Sequence, residues 1–95
     1  SMSLDAVRNG IQEIDEQIID LVAERQRLAA RIARLKQENG LPIRDDEQRK
    51  VVLDRVFTHA VESRIDPVAV RKIFEILIEM NEERQRECNG DGNLP

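Results

Sequence analysis

The sequence predicts an all-α protein of three helices, the first very long, that pairs with a second copy of itself. Three observations point there. Apolar residues recur at three- and four-residue steps rather than in alternation. Charged residues make up 36% of the 95 positions, as suits helices with solvated faces. Phe57 and Phe74 are the only aromatic residues, a composition that fits helices better than a β-sandwich.

The first helix follows from Val7, Ile11, Ile14, Ile18, Leu21, Val22, Leu28, Ile32 and Leu35, with no proline before Pro42. It is expected over roughly residues 4 to 39, weakened by about 1 kcal/mol at Gly10 relative to alanine. Asn39-Gly40, with Pro42 beyond, supplies the stop. A connector from Gly40 to Arg44 leads to Asp45 or Asp46 as the cap of a second helix. That helix carries Val52, Leu53, Val56, Phe57, Ala60 and Val61, and ends near Ser63-Arg64. Asp66-Pro67 then gives the cap and first-turn proline of a third helix, with Val70, Ile73, Phe74, Leu77, Ile78 and Met80 inward. Ser1 ahead of Met2 reads as a cloning remnant, so residues 1–3 are expected to precede a single domain at 4–88. Residues 89–95, rich in Asn and Gly, are expected to form a disordered tail.

A helix of about 36 residues is roughly 54 Å long, well beyond the width of a compact chain of this size. Two shorter helices cannot cover its apolar stripe. A second copy would, so an antiparallel or crossed dimer follows from geometry.

Composition narrows the function. The net charge of −4 argues against general nucleic-acid binding, which needs a basic patch and stacking aromatics. A single cysteine, Cys88, rules out an internal disulfide framework, and no apolar run approaches twenty residues. The expected setting is the cytoplasm, with no membrane partner. His59 and Cys88 are solitary, and no nucleophile–base pair or metal-ligand spacing is present. An anionic ligand would have to be met by a local cluster of cations.

Such a cluster is legible. At 100° per residue, Val7, Ile11, Ile14, Ile18, Ala29 and Ile32 share an arc of about 60°, and Arg25 and Lys36 fall inside it. A cation within an apolar stripe is paired, snorkelling, or lining an anion site. Arg27, Arg31 and Arg34 point the opposite way, and Arg8 lies on the flank. On the second helix Arg49 sits in the arc of Val52, Val56 and Phe57, with Gln48 at its edge. On the third, the stripe of Val70, Phe74, Leu77 and Ile78 runs on into Asn81 and Gln85. These are many donors with no obvious inward carboxylate to neutralise them, a pocket suited to a small polyanion. What such a pocket can do chemically is position a ligand and stabilise charge that moves within it.

The pattern resembles the all-helical chorismate mutases. Asp15, then Leu21-Val22-Ala23-Glu24-Arg25, Lys36, the connector Pro42-Ile43-Arg44-Asp45, and Phe74-Glu75-Ile76-Leu77-Ile78-Glu79 with Gln85 stand in that family's order and spacing over about residues 4 to 86. The resemblance implies an intertwined homodimer whose sites each use both chains and convert the dianion chorismate to prephenate without a cofactor, in aromatic amino-acid biosynthesis. It implies that Arg25 holds one substrate carboxylate and that Arg8 reaches the other from the partner chain. Lys36 and Gln85 would donate to the ether oxygen. Asp45 would lie near the substrate hydroxyl, and Asn81 would donate to a carboxylate.

One departure stands out. Many members carry an Arg-Glu pair early in the second helix, where this chain has Gln48-Arg49. Arg49 is expected to take over the carboxylate contact, with Asp45 or a backbone carbonyl receiving the hydroxyl. Because the usual acceptor is missing, isochorismate pyruvate lyase chemistry or an amino analogue of chorismate stays open as an alternative. So does a non-catalytic helical dimerisation or regulatory module, although that would have no use for Arg25 and Lys36 in its seam.

Overall fold

The computed structural model describes residues 3–91, which form α1 (Leu4–Glu38), α2 (Asp46–Glu62), α3 (Pro67–Arg86) and a closing π-helical turn at Glu87–Asp91. Each start has a side-chain cap. Ser3 Oγ accepts from the Ala6 amide at 3.1 Å, Asp45 Oδ1 from Gln48 at 3.1 Å, and Asp66 Oδ1 from Val68 at 3.0 Å, with Pro67 opening α3. These oxygens satisfy amides that have no partner inside the first helical turn. Ser3, expected to precede the domain, is the N-cap of α1.

α1 and α2 end alike. At the end of α1 the Leu41 amide donates to Lys36 O at 2.8 Å and Gly40 to Gln37 O at 3.3 Å, with Gly40 at φ 63°. At the end of α2 Ile65 donates to Ala60 O and Arg64 to Val61 O, both at 3.1 Å, with Arg64 at φ 60°. Both are Schellman turns, which require a left-handed residue. Glycine takes that conformation freely; arginine does so at some cost. At the other end of the chain, the tail expected from Asn89 instead continues as the π-helical turn, held by packing against α1 and α3. The rest of that tail, 92–95, and residues 1–2 lie outside the described residues.

α3 is the middle element, packing against α2 on one side and α1 on the other, while α1 and α2 do not meet. The result measures 57 × 30 × 15 Å, a single layer of helices. Its radius of gyration is 16.6 Å, against about 12 Å for a compact chain of this length. Ala29 and Ala33, one turn apart on α1, and Val56 and Ala60 on α2 are the buried apolar residues among those described. All are small, so the helices approach closely but enclose little. Along the first half of α1, Val7, Ile11, Ile14 and Ile18 are 44%, 54%, 55% and 53% exposed. The inward face predicted for them is thus uncovered within one chain. Ile73 and Met80 of α3, also expected inward, are exposed as well.

Candidate active site

The three helices converge polar groups on an open cavity of about 230 Å³. α1 contributes Arg25 and Lys36, eleven residues and so three turns apart on one face. Asp45, Gln48 and Arg49 enter from the first turn of α2 and its cap, and α3 supplies Asn81 and Gln85. Ile32, Val52 and Ile78 give the cavity an apolar floor. Seven of the eight residues singled out by sequence are thereby brought together. The exception is Arg8, which is exposed and lies seventeen residues before Arg25, about 25 Å back along the helix.

Lys36 and Gln85 form the inner wall. Lys36 Nζ donates to Ile43 O at 2.5 Å and to Gln85 Oε1 at 3.1 Å, so one ammonium ties α1 to the connector and to α3. Gln85 is 6% exposed, the single buried polar residue among those described. With Oε1 turned to Lys36, its amide NH₂ is directed away from that lysine and can serve a ligand as donor.

Arg25 is held differently. Its guanidinium lies over Phe74, 5.6 Å from the ring centroid. Its Nη1 is buried with no hydrogen-bond partner among the described residues. Burial, and then the positive charge of Arg55, push its pKa below the ordinary value. A guanidinium stays protonated even so. The result is a desolvated cation short of an acceptor, and an anionic ligand would relieve it.

Arg49 is half-buried between this cavity and a more open depression that it shares with Arg44, Lys50 and Arg71. Arg44 is exposed and donates through Nε to Asp46 Oδ1 at 2.7 Å. Asp45 and Gln48 are exposed, and one Asp45 oxygen is engaged in capping α2. No inward carboxylate is obvious in the sequence, yet Glu82 of α3 also lines the cavity. Its signal was available: Glu82 stands four residues after Ile78 and three before Gln85, on the same stripe.

An orphaned guanidinium and a lysine–glutamine pair lining one cavity, on a bundle of three helices, make a site with the chemistry to take a small anion. The comparisons with known proteins give the chain its family. The family model for chorismate mutase type II matches residues 7–86, and the chain belongs to that family. It is 40% identical over 84 residues to a chorismate mutase of Methanocaldococcus jannaschii, covering 88% of this chain and 85% of that protein. It is 32% identical over 92 residues to a bifunctional chorismate mutase/prephenate dehydratase of Buchnera aphidicola, covering 92% of this chain and 24% of that one. With the enzyme of the same description from Escherichia coli K12, the identity is 30% over 74 residues, covering 78% of this chain and 19% of that one. The chain spans about a quarter or less of both bifunctional relatives.

Proposed function

We propose that this protein is a chorismate mutase working as a homodimer, in which each cavity rearranges chorismate to prephenate and one cation comes from the second chain. The observation that carries the reading is the buried, partnerless Nη1 of Arg25 in a cavity that also presents Lys36 and Arg49. Chorismate is a dianion with an ether oxygen and a ring hydroxyl. In its rearrangement the ether carbon–oxygen bond breaks as the enolpyruvyl methylene carbon bonds to the ring. No atom is gained or lost, so the protein needs neither nucleophile nor acid–base exchange.

Negative charge grows on the ether oxygen as its bond to the ring lengthens. Lys36 and the Gln85 amide, already fixed to each other, are the donors for it, and a donor set in place beforehand stabilises the transition state more than the ground state. Arg25 takes one carboxylate and Arg49, aided by Asn81, steadies the charged end of the ligand. The cavity holds three cations, Arg25, Lys36 and Arg49, against two carboxylates, Asp45 and Glu82. Arg8 of a second copy adds the charge that makes the surplus match a dianion.

The dimer is supported by surface. The chain exposes 7474 Å², where a folded monomer of its 11.0 kDa would expose about 5,600 Å². An excess of about 1,900 Å² per chain, or about 3,800 Å² over a pair, lies in the range of obligate interfaces rather than transient ones. The uncovered stripe of Val7, Ile11, Ile14 and Ile18 runs along the same end of α1 that carries Arg8. Burying that stripe against a second copy brings Arg8 toward the other chain. A cytoplasmic setting accords with the single cysteine; no helix among the described residues is long and apolar enough to cross a membrane.

The test is to mix purified protein with chorismate, follow the loss of its ultraviolet absorbance, and identify the product. Prephenate formed in proportion to enzyme is the expected result. In a parallel incubation with isochorismate, formation of salicylate and pyruvate, with chorismate untouched in the first, would replace this reading by the lyase one.

A further inference from the structure

The cavity's cations have assigned partners in the substrate, but one of its carboxylates does not. Asp45 is exposed and spends an oxygen on the Gln48 amide. Glu82 is placed otherwise. Its side chain is 12% exposed, and its ion pair with Arg86 is a 3.9 Å approach to a side chain 51% exposed. That distance is too long for a hydrogen bond. The carboxylate thus sits largely out of water, on the wall of an anion site, without a donor at bonding distance among the described residues.

A carboxylate in that position opposes a dianion unless the ligand gives it a hydrogen. Chorismate has one hydrogen-bond donor to give, its ring hydroxyl. Asn81 and Gln85 flank Glu82 on the same face of α3, while Arg25 stands on α1 beside Phe74. Repulsion between Glu82 and the ligand's carboxylates therefore favours the pose in which those groups lie toward the arginines. The groups around Glu82 are cationic: Arg49 and Lys36 share its cavity, and Arg86 lies one turn on. From the connector side Arg44 feels it too. Arg44's pKa is raised first by the Asp46 hydrogen bond and charge, then by Glu82.

We infer that Glu82 is a specificity-determining residue of this site, its carboxylate accepting the hydrogen bond of the substrate's ring hydroxyl. The inference rests on the chorismate mutase reading. A site built to receive a hydroxyl leaves a buried acceptor unmet when the hydroxyl is absent, and so discriminates against the analogue that lacks it.

The experiment compares kcat/KM for chorismate and for its analogue with hydrogen in place of the ring hydroxyl, in the wild type, Glu82→Gln and Glu82→Ala. The wild type is expected to prefer chorismate by about 10- to 100-fold, the value of a hydrogen bond to a charged acceptor. Glu82→Ala removes that preference through its loss on chorismate, and Glu82→Gln, keeping a neutral acceptor, retains part of it. The ratio is insensitive to the fraction of protein that folds. An unchanged preference in Glu82→Ala, or no preference in the wild type, overturns the role of Glu82 while leaving chorismate mutase activity standing. A wild type that turns over neither compound overturns both.

Discussion

Lys36 Nζ and Gln85 Oε1 meet at 3.1 Å, across a gap of 49 positions in the sequence and between the two helices that carry most of the cavity. The bond aligns two donors before any ligand arrives. Removing either, as Lys36→Ala or Gln85→Ala, is expected to lower kcat by about 10²- to 10³-fold, the loss typical of one oxyanion donor. Steady-state kinetics on chorismate measure it. Gln85→Glu tests the same bond by pH. A carboxylate there donates only when protonated, so the variant's kcat should rise as pH falls, whereas the wild type, with a neutral amide, should show no such rise below pH about 6.

On the proposed function, Arg25 trades stability for binding. It is desolvated, repelled by Arg55 and leaves Nη1 without an acceptor. Arg25→Met, which keeps the contact with Phe74, is expected to leave unfolding free energy unchanged or slightly raised, because solvent screens a partly exposed cation, while turnover collapses. Chemical denaturation and the chorismate assay are read on the same sample. A variant both less stable and inactive would mean that the guanidinium is structural.

Sharing of sites between chains has a numerical signature. In a mixed dimer of Arg8→Ala and Arg25→Ala chains, one site carries both changes and the other neither. Refolding equal amounts together should restore about a quarter of wild-type activity, since half the dimers are mixed and half of their sites are intact. No recovery would mean that each chain supplies its own Arg8.

Asp45 separates capping from chemistry. Asp45→Ala should cost about 1 kcal/mol by stripping the cap from α2, and Asp45→Asn almost nothing, because Asn caps as well as Asp. With Glu82 as the hydroxyl acceptor, Asp45→Asn should also keep most of its turnover. Thermal melts and kcat/KM give the two readings.

Arg64 offers a stabilising change. It holds φ 60° where α1 uses Gly40 at 63°. Arg64→Gly is expected to stabilise by up to about 1 kcal/mol, and Gly40→Ala to destabilise by a similar amount. Opposite shifts in denaturation midpoint check both.

The helices were readable because periodicity and punctuation agreed. Asp45, Asp66-Pro67 and Gly40 mark the boundaries where the structure puts them. Arg25, Lys36, Arg49 and Gln85 were readable because each interrupts an apolar arc. Glu82 has the spacing from Ile78 and Gln85 that marks the same face, but α3 also carries Glu75, Glu79 and Glu83, and one carboxylate among several reads as a solvated charge. Periodicity reported that Ile11, Ile14 and Ile18 form an apolar face, and it carries no information about what covers that face. The π-helical turn at Glu87–Asp91 depends on packing against α1 and α3, which no local pattern of Asn and Gly encodes.

A slab 15 Å thick encloses only a few small residues. In the proposed dimer, acquiring structure and meeting a partner become one event, so the yield of native enzyme from denatured protein should follow second-order kinetics. Its thermal midpoint should climb with total concentration. Dilution is then itself a denaturant, and the cell sets the enzyme's resilience by how much of it is made.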